Sequence, residues 1–472
     1  MEFLRSIIIL GMTFPILTGS GMFRQGGVLE DCRPLLGSVA EAAYRVPTSL
    51  ESREVVRASG TQLLSVSNQL TTPAAQPPVI LSHFTASSPA SRRPVLRWEK
   101  VAGAVAYEVQ LARNRQIFAD ESHIYINGYN AVLPESFTGR QFAWRVRALD
   151  LERQPMSPFS AWETVFVDSR IPVLQRPVPT NVFNQGNGTT LLYPVYNWIP
   201  VNGAKTYEIE ILNSLPVRAD ARASAAQLIG RGKSTGFDWY DDDKRVSSRP
   251  MYWRVRGLDG SGSPVGVFSE PQRMVTDPAA NWQIATLGDS IYHGGGSLSY
   301  SPSDWEYSFQ HFLRFDSINL AQSGDTSEST LARFDADVLP FHPDYLIIMT
   351  GTNSLRAGTD PDDVISDLEQ IREKCEAAHI HPIFMSLPPI NPANIRRAFD
   401  EPTAEDWKER FSAVNAWIRT QIHIDLGGKI AENEELPTNL ALDGIHLDTA
   451  GKKLMAEAVN EQWESVIRQF DW

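Results

Sequence analysis

The sequence predicts a multidomain protein in which two tandem all-β sandwiches precede an α/β domain with a doubly wound parallel sheet. Three observations lead to this fold class: an internal duplication of about 100 residues, alternation of apolar and polar residues within each copy, and a later change to apolar runs that alternate with helical patterns. The chain has 472 residues, which is too many for one ordinary domain.

The overall composition narrows the range of partners. Hydrophobic residues make up 42% and charged residues 21% of the chain, as is usual for globular proteins. The net charge is −13, and no three basic residues are consecutive. Because binding to a phosphate backbone requires clustered Lys and Arg, we expect no nucleic-acid partner.

Residues 1–23 have the pattern of a signal peptide or an N-terminal anchor. Arg5 precedes an apolar segment, Ser6–Phe23, in which small residues favour cleavage after Ser20. An uncleaved anchor is the alternative, because the segment has about the minimum length that spans a membrane. Either interpretation predicts a secreted, periplasmic or cell-surface location.

A linker-like region, residues 24–76, follows. It is rich in Ser, Thr, Ala and Gln and ends in TTPAAQPP. The two cysteines, Cys32 and Cys375, are too far apart for a metal-ligand spacing or a disulfide framework. We expect Cys375 to be a small buried side chain on a helix.

The duplication is visible in two blocks of sequence. The segment LRWEKVAGAVAYEVQL (Leu96–Leu111) recurs as YNWIPVNGAKTYEIEI (Tyr196–Ile211), with an offset of 100 residues. The segment FAWRVRALD (Phe142–Asp150) recurs as MYWRVRGLD (Met251–Asp259), with an offset of 109. Because these segments alternate apolar and polar residues between Gly, Pro and Asn turns, each copy is predicted to be a small antiparallel β-sandwich.

The two copies resemble fibronectin type III domains over residues 77–169 and 170–278. The resemblance lies in an early-strand Trp, a G-A-x-x-Y-E strand and a W-R-V-R strand. It implies the sandwich fold and says nothing about an activity. Trp162, Trp239 and Tyr240 are candidates for contact with a glycan, a cell surface or another partner, and packing within the sandwiches is the alternative.

Residues 279–472 show strand–loop–helix alternation. Strands are predicted at Ile284–Leu287, Ile318–Ala321, Tyr345–Met349 and Pro382–Leu387. Helices are predicted over about Trp305–Phe315, Ser327–Val338, Asp362–Ala378, Ala404–Ile424 and Thr449–Phe470. Continuous apolar strands between helices indicate a parallel sheet that is covered on both faces. In such sheets the active site lies beyond the carboxyl ends of the strands.

Polar motifs follow three of these strands. The first strand ends at Gly288-Asp289-Ser290, a pattern that also fits a turn or a helix cap. The second leads into Asn319–Thr326, where Gly324 would let a backbone N–H approach a ligand. The third runs into Thr350–Asn353, and the Asn353 amide is a candidate donor to an oxyanion.

A fourth motif, Asp443-Gly444-Ile445-His446, precedes the last predicted helix. An Asp and a His three residues apart on one turn can place the carboxylate against the imidazole. The same spacing occurs at Asp120–His123 in the first sandwich. No serine motif surrounds that pair, so we interpret Asp120 and His123 as surface residues.

Together the four blocks resemble those of the SGNH (GDSL) hydrolase family, whose fold is flavodoxin-like. The resemblance implies Ser290 as the nucleophile, His446 as its general base and Asp443 as the residue that orients the imidazole. It also implies an oxyanion hole made by the backbone N–H groups of Ser290 and Gly324 and the Asn353 amide. No metal or organic cofactor is implied.

This sequence differs from the family pattern in its third block, where Ser354 follows Asn353 although the family often has Asp there. His293, three residues after Ser290, is interpreted as lining a pocket rather than as the base. The glycines at 294–296 are predicted to keep side chains off the floor of the acyl pocket. Tyr292 stands where a G-x-S-x-G elbow would have its second glycine, so this serine is of another type.

The leading functional hypothesis is an exported serine esterase that removes a small acyl group, such as acetyl, from a carbohydrate or cell-wall glycan. A lipase, lysophospholipase or thioesterase is the first alternative, because Ser323–Phe334 resembles the corresponding block of bacterial enzymes with those activities. A surface-binding protein with a non-catalytic SGNH scaffold is the second alternative. Family fold alone does not choose among these substrates.

Overall fold

The computed structural model describes residues 76–472, except 102–103, 105, 138–139, 151–152, 181–182, 185–189, 295–307, 433 and 471–472. The predicted leader, residues 1–23, and almost all of the predicted linker lie outside the described residues. Across the described part of the chain, no helix combines the length and the apolar character that crossing a membrane requires.

Six strands are described in the first β-rich region. They are β1 (Val95–Arg97), β2 (Ala106–Arg113), β3 (Gln116–Ile124), β4 (Gly128–Asn130), β5 (Gln141–Leu149) and β6 (Glu163–Phe166). Strands β3, β2, β5 and β6 form an antiparallel sheet in that order, and β1 pairs with β4. Leu96 and Trp98, from the side of the two-stranded sheet, share one buried cluster with Val109 and Trp144 from the other sheet.

The second β-rich region has a similar arrangement, and nine strands are seen in the part of it that the structure describes. They are β7 (Val178–Pro179), β8 (Thr190–Leu191), β9 (Val195–Ile199), β10 (Thr206–Leu212), β11 (Leu228–Ser234), β12 (Asp238–Tyr240), β13 (Ser247–Leu258), β14 (Pro264–Val265) and β15 (Gln272–Thr276). Strand β10 lies between β11 and β13, β13 also pairs with β14 and β15, and a second sheet has the order β12-β9-β7. Strand β8 belongs to neither of these sheets.

The two regions share side-chain contacts as well as sequence. Tyr107 packs on Trp98 at a ring-centroid distance of 5.2 Å, and Tyr207 packs on Trp198 at the same distance. Each tyrosine hydroxyl accepts a hydrogen bond from a backbone N–H six residues earlier, at 3.0 Å and 3.1 Å. The internal duplication therefore extends to three-dimensional detail.

Paired arginines stack on a phenylalanine in both copies. The guanidinium carbons of Arg145 and Arg147 lie 4.1 Å and 4.4 Å from the centroid of Phe159. Those of Arg254 and Arg256 lie 4.0 Å and 4.3 Å from the centroid of Phe268. Such cation–π contacts attach a loop phenylalanine to the strand that carries the two arginines in each copy.

The aromatic candidates for partner contact differ in their surroundings. Trp162 is 43% exposed, and the Arg145 guanidinium covers its ring at 4.5 Å. Trp239 stacks on Tyr196 with 5.3 Å between ring centroids. Tyr240 packs against the cluster around Leu191. Packing therefore accounts for Trp239 and Tyr240, whereas Trp162 retains an accessible face.

The third region contains a parallel sheet, as the sequence predicts, but the described sheet has six strands instead of the four predicted ones. Its C-terminal strands are β16 (Ile284–Gly288), β17 (Ile318–Asn319), β18 (Tyr345–Met349), β19 (His381–Met385) and β20 (His423–Ile424). The strand order is β20-β19-β18-β16-β17-β8, and all neighbours are parallel. All five residues of β16 are buried, so both faces of the sheet are covered.

The strand at one edge of this sheet comes from the second β-rich region. Ile318 pairs with Thr190 and Asn319 pairs with Leu191. The sequence predicts a sandwich over residues 170–278 and the α/β domain over residues 279–472. The parallel sheet nevertheless includes β8, which lies within residues 170–278. A two-residue strand has no period of its own, so its pairing partner cannot be identified from the pattern.

Seven α-helices are described in the third region. They are α1 (Ser290–His293), α2 (Ser327–Asp337), α3 (Thr352–Arg356), α4 (Pro361–Ala377), α5 (Pro392–Phe399), α6 (Trp407–Ile418) and α7 (Thr449–Ile467). Helices α2, α4 and α6 pack side by side, and α7 packs against a 3-10 helix at Phe309–Phe312. Cys375 is fully buried on α4, as predicted.

Two of the predicted helices are wrong in extent. The described part of the stretch predicted over Trp305–Phe315 contains only the 3-10 helix at Phe309–Phe312. The helix predicted over Ala404–Ile424 is α6, which ends at Ile418 and is followed by strand β20. The apolar residues at its end belong to a sheet edge, and a short apolar run fits either state.

Gly288 lies at the carboxyl edge of the parallel sheet, where β16 and β18 are closely packed. A Cβ at this position would lie 2.1 Å from the Met349 carbonyl oxygen, which is a rigid backbone atom of β18. We expect Gly288→Ala to lower the free energy of unfolding by about 3 kcal/mol, at the upper end of overpacking costs. Urea unfolding followed by circular dichroism measures this change.

Gly428→Ala is the matched control for Gly288→Ala, because a Cβ at Gly428 meets no atom within 4 Å. Equal stability losses in the two variants would contradict the tight fit at Gly288.

Candidate active site

Ser290 stands at the junction between strand β16 and helix α1. The Asp289 Oδ1 atom accepts a hydrogen bond from the Ile291 N–H at 2.9 Å and so caps the helix. The Gly288 carbonyl accepts hydrogen bonds from the Gln322 N–H and from Arg333 Nη2, both at 3.0 Å. The backbone on the N-terminal side of Ser290 is therefore fixed by neighbouring elements.

Ser290, His446 and Asp443 form one line of hydrogen bonds. Ser290 Oγ lies 2.8 Å from His446 Nε2, and His446 Nδ1 lies 2.8 Å from Asp443 Oδ2. The Asp443 side chain is fully buried, whereas the imidazole is 13% exposed. Because the carboxylate can only accept, Nδ1 carries a proton and Nε2 is left to accept the proton of the serine hydroxyl.

The loop before helix α7 holds Asp443 and His446 in this arrangement. Asp443 Oδ1 accepts hydrogen bonds from the backbone N–H groups of Ile445 at 2.9 Å and His446 at 2.8 Å. Gly444 has a φ of +84°, and a Cβ there would lie 2.4 Å from the Asn391 carbonyl oxygen. The carboxylate thus has three donors, which offset the cost of burying its charge.

The second pair with the same spacing, Asp120 and His123, lies on strand β3. Both side chains are exposed, and among the described residues no hydrogen bond or ion pair joins them. Asp120 accepts a hydrogen bond from Gln110, and the exposed His123 ring lies 3.8 Å from Glu121. The structure agrees with interpreting Asp120 and His123 as surface residues.

Within the described part of the chain, the backbone N–H groups of Ser290 and Gly324 have no protein acceptor. Gly324 has a φ of +91°, a conformation that side chains with a Cβ rarely adopt. Both N–H groups are therefore available to an external acceptor.

Arg356 sets the orientation of the Asn353 amide. Its Nε donates to Asn353 Oδ1 at 3.2 Å, and its other nitrogens contact Glu401 at 3.0 Å. The oxygen of the amide must therefore face Arg356, and Nδ2 faces the other way, where it donates to the Asp325 carbonyl at 2.9 Å. The second hydrogen on Nδ2 remains for another acceptor.

Asp325 and Arg333 connect this loop to the nucleophile turn. Arg333 Nε lies 2.5 Å from Asp325 Oδ2, and Nη2 of the same guanidinium reaches the Gly288 carbonyl. Asp325 also accepts hydrogen bonds from Ser329 and Thr330 at the start of helix α2. The largely buried Arg333 thus contacts both the residue two before Ser290 and the residue after Gly324.

His293, which the sequence predicts to line a pocket, has contacts from both of its ring nitrogens to the protein. Its ring is buried, with Nδ1 2.8 Å from Ser323 Oγ and Nε2 2.8 Å from the Tyr193 carbonyl oxygen. Burial lowers the pKa of His293 to about 4, so the ring is neutral near pH 7. Gly294 has a φ of +121°, and glycines 295–296 lie outside the described residues.

Sequence reasoning missed Arg356, Asp325, Arg333 and Tyr193. Asp325 could have been found, because it follows Gly324 directly in the second block. The two arginines carry no local signal, since many surface helices contain arginine. Tyr193 lies about 100 residues before Ser290 in another predicted domain, and no spacing rule connects the two.

Residues 286–454 match the family described as GDSL-like Lipase/Acylhydrolase. Over 151 residues, which are 32% of this chain and 68% of the relative, the sequence is 26% identical to "Thioesterase 1/protease 1/lysophospholipase L1" of Escherichia coli (strain K12). The C-terminal region is therefore a GDSL/SGNH hydrolase domain. The protein is an ester-hydrolysing enzyme.

Two solved structures are also similar to this chain. A GDSL-like lipase from Bacteroides thetaiotaomicron is 22% identical, with a TM-score of 0.32, and the match covers 39% of this chain and 87% of that chain. A lipase/acylhydrolase from Enterococcus faecalis is 21% identical, with a TM-score of 0.31, and covers 39% and 95%.

Asp289, next to the nucleophile, has one unpaired carboxyl oxygen. Its Oδ1 atom caps α1, but its buried Oδ2 atom has no hydrogen-bond partner among the described residues. Burial raises the pKa of this carboxyl from its ordinary 3.8 to about 7. Since the folded state favours the protonated form, the stability of the fold falls as the pH rises from about 4 to about 7, and this contribution then stays constant at higher pH.

We expect the free energy of unfolding of Asp289→Asn to rise relative to that of wild type as the pH increases from about 5 to about 8. The asparagine keeps an acceptor for Ile291 and cannot ionise. The difference in the free energy of unfolding should change by at least about 1.4 kcal/mol, the value of one pKa unit. Denaturant unfolding at each pH measures it.

Asp362→Asn is the control for Asp289→Asn, because it changes an exposed carboxylate at the start of α4. A constant difference between Asp289→Asn and wild type across this pH range would contradict the raised pKa.

Proposed function

We propose that the protein hydrolyses carboxylic esters through an acyl-serine intermediate on Ser290. The observation that carries this proposal is the line of two 2.8 Å hydrogen bonds that joins Ser290, His446 and Asp443. A serine hydroxyl is a weak nucleophile, and an adjacent neutral imidazole with a fixed tautomer activates it. In this proposal Asp443 holds the tautomer and stabilises the imidazolium that forms.

The reaction proceeds in two halves. Ser290 Oγ attacks the ester carbonyl carbon while His446 Nε2 takes the hydroxyl proton, which gives a tetrahedral oxyanion. The oxyanion collapses as His446 returns the proton to the leaving alcohol, and the acyl group stays on Ser290. Water then attacks the acyl-serine while His446 takes a proton from it, and the second tetrahedral intermediate collapses as His446 returns this proton to Ser290 Oγ and the acid leaves.

The oxyanion is stabilised by the backbone N–H groups of Ser290 and Gly324 and by Asn353 Nδ2. Support comes from the absence of protein acceptors for the two backbone groups within the described residues, and from the orientation that Arg356 imposes on the amide. Donors fixed in advance at a developing charge need no reorganisation during the reaction. Removal of a single donor of this type costs about 2.7–4 kcal/mol of transition-state stabilisation.

Substitutions in the hydrogen-bonded line test the assigned roles. We expect Ser290→Ala and His446→Ala each to lower kcat on p-nitrophenyl acetate by at least about 10³-fold, because each removes the nucleophile or its base. The control is His123→Ala, the histidine of the surface pair with the same spacing, which should leave kcat unchanged. Wild-type turnover by Ser290→Ala would refute the nucleophile assignment.

The leading proposal for the substrate is a small acyl group, such as acetyl, on a carbohydrate or cell-wall glycan. Two features support it: the leader-like pattern of residues 1–23, which favours export, and the duplicated β-rich regions, which we infer to be fibronectin type III-like sandwiches. Modules of this type often accompany extracellular enzymes. The accessible face of Trp162 is the candidate for contact with a glycan or cell surface.

A thioesterase or lysophospholipase is the second candidate. Support comes from the similarity to the Escherichia coli protein, whose name gives both of these activities. The segment Ser323–Phe334, which contains the second block, has the same resemblance. A non-catalytic scaffold is set aside, because the protein is an ester-hydrolysing enzyme.

A panel of acyl donors separates the two candidates. It contains p-nitrophenyl esters of increasing chain length, an O-acetylated xylo-oligosaccharide, a long-chain acyl-coenzyme A and a lysophosphatidylcholine. The glycan proposal predicts the highest kcat/KM on acetyl esters, with Ser290-dependent release of acetate from the oligosaccharide. Highest kcat/KM on long acyl chains or on the thioester would overturn it in favour of the second candidate.

A further inference from the structure

We propose that the second β-rich region positions the catalytic site, through the segment Thr190–Tyr193 and the side chains that it holds. This inference rests on the proposed function, because it concerns the geometry of the nucleophile and the oxyanion donors. The segment links β8 to β9, and strand β9 belongs to a sheet of the second β-rich region. By its position in the sequence the segment is part of the second β-rich region, but its strand β8 pairs within the parallel sheet of the third region.

The backbone of this segment completes the parallel sheet. Strand β8 pairs with β17, and the Leu192 N–H donates to the Asn319 carbonyl at 2.9 Å. Strand β17 leads directly into the loop that carries Gly324. Without β8, the backbone groups on the outer edge of β17 would lose their partners, which is costly for a buried strand.

Tyr193 makes two polar contacts from a largely buried position. Its carbonyl oxygen lies 2.8 Å from His293 Nε2, and its hydroxyl donates to Asp337 Oδ2 at 2.6 Å. A carbonyl can only accept, so Nε2 carries the proton of the neutral His293 ring. Nδ1 is then an acceptor, and the Ser323 hydroxyl donates to it at 2.8 Å.

The contacts from Tyr193 to His293 and from His293 to Ser323 form a first path. Through these two hydrogen bonds it connects the second β-rich region to the loop that carries Gly324. His293 is the last residue of the short helix that begins at Ser290, and Ser323 directly precedes Gly324. The ring of Tyr240, on strand β12, contacts the His293 ring edge-on with 6.2 Å between centroids. The imidazole is thus held on both polar atoms and on its ring.

A second path runs from the Tyr193 hydroxyl through Asp337 and Arg333. Arg333 Nη1 lies 3.0 Å from the same Asp337 oxygen that Tyr193 contacts. Lys244, also in the second β-rich region, lies 2.9 Å from the other oxygen of Asp337. Arg333 in turn contacts the Gly288 carbonyl and the Asp325 carboxylate, which flank Ser290 and Gly324 in sequence.

Both paths end at the segments that hold the nucleophile and an oxyanion donor, and neither touches a reacting atom. Tyr193, His293 and Arg333 are therefore positioning residues. Catalytic groups are effective only when they are held within about 0.5 Å of the productive geometry, which depends on such supporting contacts. The second β-rich region has acquired a role in catalysis that a separable binding module would not have.

Variants of the full-length protein test this role with p-nitrophenyl acetate as the probe. Tyr193→Phe removes the bond to Asp337 and should lower kcat about 10-fold, and His293→Leu removes both imidazole bonds and should lower it about 10²-fold. KM should stay within about twofold of the wild-type value, because substrate contacts are retained. His293→Gln should restore part of kcat, since its amide can donate to Tyr193 and accept from Ser323.

Tyr207→Phe is the matched control, because it too removes a hydrogen-bonded tyrosine hydroxyl from the second β-rich region. The Tyr207 hydroxyl accepts its bond from the Val201 N–H and is on neither path. We expect Tyr207→Phe to keep the wild-type kcat even if it lowers the free energy of unfolding. If His293→Leu does not fold, Ser323→Ala removes the Ser323–His293 bond from the partly exposed partner and should lower kcat in the same way.

The outcomes separate this inference from the proposed function. Wild-type kcat in Tyr193→Phe, His293→Leu and Ser323→Ala, together with an inactive Ser290→Ala, would overturn the positioning role and leave the serine mechanism intact. An active Ser290→Ala would refute the proposed function itself. Equal losses of kcat in Tyr193→Phe and Tyr207→Phe would also overturn the positioning role, since both would then report general destabilisation.

Discussion

The parallel pairing of β16 with β18 is the constraint on which the rest of the site depends. Gly288 stands opposite Met349, so close to its carbonyl oxygen that no side chain fits. Because parallel strands end on the same edge, this register brings the turn at Ser290 beside the loop that leads to Asn353. Strand β17 delivers Gly324 to the same edge, and the loop before α7 adds Asp443 and His446.

Buried charge around this edge is almost fully paired, which is the condition for keeping it out of water. Asp443 accepts three hydrogen bonds, and Arg333 lies between Asp325 and Asp337. These contacts orient groups more than they stabilise the fold, since replacing buried ion pairs by apolar residues is often neutral. Asp289, directly before the nucleophile, differs from these groups, because its buried Oδ2 atom has no hydrogen-bond partner among the residues that the structure describes.

The two β-rich regions share their internal contacts but differ in their relation to the hydrolase domain. Both stack paired arginines on a phenylalanine and seat a tyrosine hydroxyl on a backbone N–H. Only the second, within the described residues, places a strand in the parallel sheet. The two duplicated regions therefore have similar internal contacts, and they differ in that the second contributes a described strand to the edge of the parallel sheet.

The sequence by itself determined the parallel sheet, the positions of most long helices and the polar blocks at the strand ends, because each depends on a local pattern of a few residues. The tertiary structure alone decided that β20 replaces the end of a predicted helix, that β8 joins the sheet, and that His293 contacts Tyr193. It also selected Arg333 and Arg356 among many arginines. These features depend on contacts between residues far apart in the chain, where neither periodicity nor spacing identifies the partner.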